Sequence, residues 1–417
     1  MDVDTAPAAS RLPEPAASAL PGSAAKALPE LADGQLAAAL SAIGQDETLR
    51  RLFVRACLSA ESQLKRTGSV RDEVTGPIVD ALHRDAGLLR KKLATGEVFE
   101  FAYRSRIARE FVMSTPEAPD HVWEPQTTKL LVALARHARH VVVGGAYFGD
   151  HAVLIARSLA PHGGICHAFE PNPELATLLA HNAWLNGLDN LRTHRLGLWS
   201  ESGVSMRLVG EDANAYPEPV GNDANAHATY PEPVRDDANA RATYPQPAAT
   251  SGPPDDDTFS TIRIDHYVAQ TGIDGVDLLM LDIEGGELAA LHGAAGQLAQ
   301  DAGHAPAVVF EVNRQYVDWS DGLPNTDIVR FLVGHGYEVF AVRDFHANVD
   351  TRGLPIELIP AESVYLEGPP HGFNMVAVKD PTRLSAVSPL GYCKDVSPKL
   401  LMHKDPALHH PTVGWER

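Results

Sequence analysis

Residues 140–149 read HVVVGGAYFG, and this stretch decides the fold. The three valines form a short apolar run that is typical of a buried strand, and the glycines after them permit a tight turn. Residues 152–159 are then apolar at the spacing of one helix face, and a second apolar run, 165–169, ends at Glu170. The order strand, glycine-rich turn, helix and strand predicts a βαβ unit within a mainly parallel sheet.

The same alternation continues on both sides of this unit. A helix is predicted to begin at Pro125, and Asn172 with Pro173 predicts the N-cap and first residue of a helix that stops near Gly187. Further strands are predicted at 276–281, 307–310, 337–342 and 374–378. Residues 121–380 are therefore predicted to form an α/β domain with a Rossmann-like sheet and helices on both faces.

Three segments lie outside this alternation. The first 45 residues are rich in Ala and Pro with few large apolar side chains, so they are predicted to be disordered. Residues 46–120 combine a helical pattern with a short alternating strand and are predicted to form a small α+β domain, the N-terminal cap. Residues 381–417 have no clear periodicity and are predicted to be an irregular tail.

A short repeat interrupts the α/β domain. Tyr-Pro-Glu-Pro or Tyr-Pro-Gln-Pro begins at Tyr216, Tyr230 and Tyr244, which is a period of 14 residues. Proline has no amide hydrogen to donate in a strand ladder, and each copy offers only one aromatic side chain. Residues 208–257 are therefore predicted to be a flexible insert, partly of polyproline II type.

Composition excludes several classes of function. The chain has 54 Asp and Glu against 35 Lys and Arg, a net charge of −19, and such a surface repels nucleic acid and anionic membranes. The three cysteines are far apart, and the histidines near the predicted site lack paired ligand spacing, so no metal site is predicted from them. Without a signal-like start or a long apolar run, the chain is predicted to be cytoplasmic.

The residues that carry chemistry follow the predicted strands. Gly145 and Gly149 let the backbone approach a ligand, and Glu170, 21 residues after Gly149, can accept hydrogen bonds from both hydroxyls of a ribose. This pattern alone fits a dinucleotide cofactor or a tight turn that binds nothing. Asp282 and Glu311 also follow strands, and ligands of open α/β sheets bind at that edge.

An ordered set of short motifs runs along the α/β domain and is interrupted by the repeats. The motifs are Trp123–Leu131, Gly145–Gly149, Glu170–Glu174, Asn182–Gly187, Gly197–Gly203, Thr261–Asp265, Asp282–Glu287, Phe310–Val312 and Gly336–Phe340. In this order and spacing, the stretch from about Trp123 to Val378 resembles the FkbM family of S-adenosylmethionine-dependent methyltransferases.

The resemblance implies a class I methyltransferase fold with S-adenosylmethionine lying across the first strands. The glycine turn would hold the methionine part, Glu170 the ribose, Gly197 and Leu198 the adenine, and Glu124 the amino-acid end. The predicted cofactor-binding residues are Glu124, Gly145, Ala146, Tyr147, Gly149, Glu170, Asn172, Gly197 and Leu198. Three positions depart from the family's usual residues: Val143 for Asp, Tyr147 for Asn and Met280 for Lys.

Methyl transfer requires donor and acceptor in line, and a proton must leave if the acceptor is a hydroxyl. Asp282 is predicted to act there as base, orienting group or metal ligand, with the cap of the next helix as the alternative role. Glu284 is a second catalytic candidate, or an acid that stabilises the helix dipole, and His371 is a third.

The function that the resemblance implies is O-methylation of a small-molecule acceptor, such as a sugar or a secondary metabolite. Three alternatives stay open: N-methylation of a peptide or carrier-bound scaffold, a nicotinamide-dependent oxidoreductase, and a domain that keeps the fold without activity. By its position before the core, the N-terminal cap is predicted to shape the acceptor pocket or a homodimer contact.

Overall fold

The computed structural model describes residues 33–64, 70–210, 215–220, 258–366, 372–385, 387 and 389–400. The helices in these ranges are α1 (Asp33–Gly44), α2 (Glu47–Gln63), α3 (Gly76–His83), α4 (Arg106–Val112), α5 (Pro125–Ala135), α6 (Ala152–Leu159), α7 (Pro173–Leu185), α8 (Ile264–Thr271), α9 (Glu287–Gly293), α10 (Ala295–Leu298), α11 (Asp327–Gly334) and α12 (Thr382–Ser385). A π-helical turn, Arg71–Thr75, leads into α3.

The strands are equally short. They are β1 (Leu89–Lys92), β2 (Val98–Phe101), β3 (His140–Gly144), β4 (Ile165–Phe169), β5 (Leu191–His194), β6 (Gly197–Leu198), β7 (Ser205–Val209), β8 (Tyr216–Pro219), β9 (Thr258–Ile262), β10 (Leu278–Leu281), β11 (Ala307–Val312), β12 (Glu338–Phe345), β13 (Ile356–Pro360), β14 (Phe373–Val378), β15 (Leu390–Tyr392) and β16 (Lys399–Leu400). The predicted strands of the α/β domain are confirmed, with ends that differ by a few residues.

The large sheet has the order β15-β13-β12-β14-β11-β10-β3-β4-β5, and β16 pairs with β12. Strands β5, β4, β3, β10 and β11 are parallel, whereas β14 is antiparallel to both β11 and β12. The parallel part has the doubly wound order in which a ligand binds where the connections change direction. This is the predicted Rossmann-like sheet.

Alternating residues of the strands supply the cores on the two faces of the sheet. Val141 and Val143 belong to the core that contains residues of α5, α6 and α7, while Val142 belongs to the core with residues of α8, α9 and α11. This follows from the two-residue period of a strand, which sends successive side chains to opposite faces. The predicted helices on both faces are therefore confirmed.

Helix α7 begins as its sequence predicts. The Asn172 carboxamide oxygen accepts hydrogen bonds from the amides of Glu174 and Leu175 at 2.9 and 3.1 Å, and Pro173 is the first helical residue. After the helix, Gly187 has a φ of +63°, a conformation that glycine adopts at low cost.

The predicted disorder of the first 45 residues is wrong in its last part, because Asp33–Gly44 form helix α1. Leu40 is buried against Ala81 and Leu82 of α3, so a few apolar side chains in an alanine-rich segment suffice to dock it. Residues 1–32 lie outside the described residues, so the disorder of this part stays a prediction.

The N-terminal cap shares its core with the α/β domain. Phe99, Phe101 and Phe111 are buried in the same cluster as Val141 of β3. Strand β2 is also held to the helix behind it, because the side-chain amide of Asn182 in α7 bonds to both the amide and the carbonyl of Glu100, at 2.8 and 2.9 Å. The cap is thus an extension of one face of the sheet.

The predicted insert is more ordered than expected at its start. The first repeat copy, Tyr216–Pro219, forms strand β8 and pairs with β7, which joins β9 and β6 in a small sheet. Both of its prolines are accommodated because β8 is an edge strand with one paired side. Residues 211–214 and 221–257, with the second and third copies, lie outside the described residues.

The predicted irregular tail also contributes strands. Residues 390–392 extend the large sheet as β15, and residues 399–400 pair with β12 as β16. Residues 401–417 are not among those described. Within the described ranges, none of the helices combines the length and apolar character needed to cross a bilayer.

Candidate functional site

Four parallel strands are in register at one edge of the sheet, where β3, β4 and β10 end and β11 continues for two more residues. Phe169, Gly144, Leu281 and Phe310 are aligned across β4, β3, β10 and β11, so Glu170, Gly145, Asp282 and Glu311, which follow them, lie side by side. A cavity of about 890 Å³, including its mouth, opens beside the first three of these residues.

Most of the predicted site residues line this cavity. They are Gly145, Tyr147, Glu170, Asn172, Gly197, Leu198, Asp282 and Glu284. The lining as described does not include Glu124, Ala146 or Gly149. His371 lies outside the described residues, so its predicted catalytic role stays a prediction.

The glycine turn is tied to the loop after β10. Gly145 has a φ of +71°, and a Cβ atom there would lie 1.7 Å from the carbonyl oxygen of Asp282. The amide of Asp282 donates to the carbonyl of Gly144 at 3.1 Å. Only glycine fits at position 145, and the close approach brings the turn and Asp282 to the same wall of the cavity.

Glu170 is held in place by backbone amides. One carboxylate oxygen accepts a hydrogen bond from the amide of Tyr147, the other accepts one from the amide of Asn172, and both distances are 2.9 Å. The side chain is buried but still lines the cavity. Hydrogen bonds of this kind to a carboxylate fix its orientation, so Glu170 presents a positioned negative charge to a ligand.

An apolar slot follows Glu170 along the cavity, and sequence reasoning missed most of it. Its walls are Phe169, Leu196, Leu198, Trp199, Met206 and Phe259. At Gly197 a Cβ atom would lie 2.4 Å from the ring of Phe259, so the glycine lets that ring close over the slot. Phe259 and Met206 come from the small sheet, far along the chain from Glu170, and no local signal reveals that they meet it.

The N-terminal cap reaches this cavity through α4. Ile107 lines the cavity, and the hydroxyl of Tyr147 donates to the hydroxyl oxygen of Ser105, the N-cap of α4, at 3.0 Å. Tyr147 itself has a φ of +48°, which is unusual for a residue other than glycine. The residue that departs from the family's usual Asn therefore connects the turn to the cap.

Acidic side chains are crowded where Asp282 and Glu284 line the cavity. Asp282, Glu284 and Glu311 each offer a carboxylate oxygen, and these atoms all lie within 4.8 Å of one another. Burial raises the pKa of Asp282 to about 8, and the charges of Glu124 and Glu287 add to the effect. Burial and mutual repulsion raise the pKa values of Glu284 and Glu311 well above their usual range.

The alternative role of Asp282 as a helix cap is wrong. The N-cap of α9 is Gly286, and the amides of the preceding loop are bound by Glu287, whose carboxylate accepts from Ile283 and Gly285 at 2.9 and 3.0 Å. Glu287 thus has the structural role, and Asp282 is left facing the cavity. Glu284 lies in this loop with a φ of +48°.

Glu124 is buried behind the cavity wall rather than in it. Its carboxylate accepts a hydrogen bond from the amide nitrogen of Asn374 at 2.6 Å, and the ring nitrogen of His346 lies 3.3 Å from it. Burial alone would raise the pKa of Glu124, but His151, His346 and Asn374 hold it below its usual value. Its predicted contact with the cofactor stays a prediction.

Asp150 and His151 also line the cavity, and sequence reasoning missed both. Burial works against protonation of His151, yet Asp150 and Glu124 raise its pKa to about 9. The signal that could have revealed them is their position, since they follow Gly149 at the start of α6, where side chains face the sheet edge.

Residues 144–339 match the family model described as the methyltransferase FkbM domain. No curated protein matches the chain in a sequence comparison.

Solved structures of methyltransferases are similar at low identity. A methyltransferase FkbM from Methylobacillus flagellatus is 13% identical with a TM-score of 0.30, and the match covers 58% of this chain and 43% of that one, so this chain spans less than half of that relative. An O-methyltransferase from Bacillus cereus, in complex with SAH, is 14% identical with a TM-score of 0.31 and coverages of 64% and 86%. The O-methyltransferase TomG from Streptomyces achromogenes, in complex with SAM, is 13% identical with a TM-score of 0.31 and coverages of 66% and 91%.

Proposed function

We propose that the protein uses S-adenosylmethionine to methylate an oxygen atom of a small-molecule acceptor, and the match of residues 144–339 to the methyltransferase FkbM domain model supports this proposal. The observation that carries the proposal is the single cavity that joins the glycine turn and Glu170 to the carboxylate of Asp282. The cavity thereby brings residues that suit a nucleotide-type cofactor close to a side chain that can accept a proton. A sugar or a secondary metabolite is the proposed class of acceptor.

The residues of the cavity fit the proposed cofactor. Gly145 provides a place where backbone approaches closely, since a Cβ atom would fill it, and Tyr147 follows in the same turn. Glu170 would accept the two ribose hydroxyls, and the slot around Leu198 and Phe259 would enclose the adenine. When bound, S-adenosylmethionine supplies a methyl group on a positively charged sulfur.

The remaining work belongs to residues of the chain. Asp282 lies in the cavity wall next to the glycine turn, where its carboxylate can orient a hydroxyl of the acceptor and accept its proton. Glu284 shares that wall and can bind a second polar group of the acceptor.

Isothermal titration with S-adenosylhomocysteine and NADH tests the cofactor. We expect the protein to bind S-adenosylhomocysteine and not NADH, and Glu170→Ala to weaken binding by at least tenfold, because a charge-assisted hydrogen-bond pair is worth roughly 1.5–3 kcal/mol. Binding of NADH instead would make the protein an oxidoreductase. Binding of neither would contradict any activity that depends on these cofactors.

The matched control for this experiment is Glu174→Ala. Glu174 lies four residues further along, and its exposed side chain forms an ion pair with Arg104 outside the cavity, at 2.7 Å. We expect it to bind S-adenosylhomocysteine like the wild type. If both variants bound S-adenosylhomocysteine equally weakly, the loss of one negative charge, and not the position of Glu170, would explain the lower affinity.

N-methylation of an amine is a second candidate function. The crowded carboxylates of Asp282, Glu284 and Glu311 favour it, because they would attract an ammonium group. Formation of S-adenosylhomocysteine, measured over matched sets of alcohols and amines, separates the two candidates. We expect turnover with the alcohols, and turnover with amines alone would overturn the proposal of O-methylation.

A further inference from the structure

We propose that the carboxylates of Asp282, Glu284 and Glu311 form a binding site for one hard divalent cation of the Mg²⁺ or Mn²⁺ type, on the face of the sheet where Asn374 is the cross-strand partner of Glu311. The cation site stands on the geometry of these residues. Its role in holding the acceptor rests on the proposed methyltransferase function.

The spacing of the carboxylates fits such an ion. One oxygen from each of Asp282, Glu284 and Glu311 lies within 4.8 Å of the other two. An ion that binds oxygen at about 2.0–2.6 Å brings its ligands to separations of up to roughly twice that distance. Carboxylate and amide oxygens are also the ligands that Mg²⁺ and Mn²⁺ prefer.

A buried amide points independently to a ligand at this place. Asn374 is 2% exposed, and it is the direct cross-strand partner of Glu311, so both side chains leave the sheet on the same face. Its amide nitrogen is fixed toward Glu124, because a carboxylate can only accept. Its amide oxygen is buried and has no hydrogen-bond partner among the described residues.

The backbone holds the three carboxylates together despite their repulsion. The side chain of Glu311 lies directly over Gly372, where a Cβ atom would come within 1.7 Å of its carboxylate oxygen. Glu284 sits in the loop that Glu287 fixes through the amides of Ile283 and Gly285. Two cationic groups also act on the cluster, because Lys399 interacts electrostatically with Glu311 and His151 with Asp282.

The position of the ion implies a class of acceptor. Asp282 and Glu284 line the cavity, so an ion bound to them would have an open side toward the acceptor. A cation of this type binds oxygen and keeps several exchangeable positions. An acceptor with two neighbouring oxygen atoms, such as a vicinal diol or an α-hydroxycarbonyl compound, could occupy two of them and present one oxygen for methylation.

The test is a titration of the full-length, EDTA-treated protein with Mn²⁺, followed by electron paramagnetic resonance of the free ion. We expect one Mn²⁺ per chain for the wild type and at least tenfold weaker binding for both Glu311→Gln and Glu284→Gln. The matched control is Glu338→Gln, which removes an exposed carboxylate at the start of β12 and should bind Mn²⁺ like the wild type. Failure of the wild type to bind, or equal binding by all four proteins, would overturn the site.

Thermal unfolding provides a second readout that does not depend on activity. Mn²⁺ should raise the Tm of the wild type and of Glu338→Gln by mass action and leave the Tm of Glu311→Gln and Glu284→Gln unchanged. A cooperative transition in each variant also shows that it folds. Titration of the same metal-free wild type with S-adenosylhomocysteine separates the two proposals, because cofactor binding without Mn²⁺ binding would reject the ion alone.

Discussion

Position 145 requires glycine for two reasons, its backbone conformation and its close packing against Asp282. The substitution Gly145→Ala adds a Cβ atom that would overlap the carbonyl oxygen of Asp282, and it places alanine at a φ of +71°. The turn must therefore move away from the loop after β10. We predict at least a tenfold loss of S-adenosylhomocysteine affinity in titration calorimetry, together with a lower Tm.

Gly163→Ala is the control that separates conformation from overlap. Gly163 has a φ of +72°, and none of the described residues comes within 4 Å of the Cβ atom that alanine would add. The Gly163→Ala protein should be less stable by only roughly 1–2 kcal/mol, the cost of the left-handed conformation for alanine, and its ligand affinity should be unchanged. A loss of affinity as large as that of Gly145→Ala would mean that overlap with Asp282 has no part in the effect.

Site residues that follow a strand directly could be predicted from the sequence, but the distant residues that contact other site residues could not. Glu170 and Asp282 follow apolar runs directly, so the strand pattern itself places them at the binding edge. Asn374 and His346 meet Glu124 across more than 200 residues of sequence, through the pairing of β14 and β12 with the parallel strands. Such contacts depend on the strand order, which no local pattern encodes.

At the scale of elements, the side chain of Asn182 in helix α7 binds strand β2 of the N-terminal cap through hydrogen bonds. It is fully buried, accepts from the amide of Glu100, and donates to the carbonyls of Glu100 and Phe148. In Asn182→Asp, a carboxylate would face the two carbonyl oxygens without a proton to donate. We predict destabilisation by about 2–4 kcal/mol and faster hydrogen exchange at residues 98–101.

Hydrogen exchange followed by mass spectrometry checks this prediction, and Asn186→Asp provides a comparison. Asn186 makes the same kind of contact to Val98, but it is only half-buried, so water can solvate the new charge. We expect a smaller effect there. Unchanged protection of β2 in Asn182→Asp would show that shared apolar packing, and not the asparagine, holds the strand.

The elements with local signals were predicted well, and those that depend on distant partners were not. Strand β3, helix α6 and strand β4 are short and periodic, and the glycine turn between them lies within the same stretch. Strand β8 carries two prolines and pairs with β7 only because it lies at the edge of the small sheet. Strands β15 and β16 likewise exist through pairing with β13 and β12.

For the whole molecule, stability should depend on pH through a half-buried lysine of the N-terminal cap. The ammonium of Lys91 donates to the hydroxyl oxygen of Ser114 at 2.6 Å and to the carbonyl of Phe111, and burial lowers its pKa from 10.5 to about 7. Between pH 7 and pH 10.5 the unfolded chain therefore binds more protons at this site than the folded protein. Folding must then become more favourable as the pH rises through this window.

The comparison of wild type with Lys91→Met isolates this contribution. We predict that the free energy of unfolding of the wild type, minus that of Lys91→Met, increases by up to about 1.4 kcal/mol per pH unit between pH 7 and pH 9. Urea denaturation at three pH values measures it, with Lys92→Met, at an exposed neighbouring position, as the control. A difference between wild type and Lys91→Met that stays constant with pH would contradict the prediction.

The hydrogen bond between Tyr147 and Ser105 has a consequence for the chain as a whole. One partner belongs to the turn that the ligand must touch, and the other begins helix α4 of the N-terminal cap. Anything that favours one arrangement of the turn then favours the matching arrangement of α4, and thermodynamic linkage makes the coupling equal in both directions. If folding of the N-terminal cap increases ligand affinity by a given factor, the bound ligand must increase the folding equilibrium constant of the cap by the same factor.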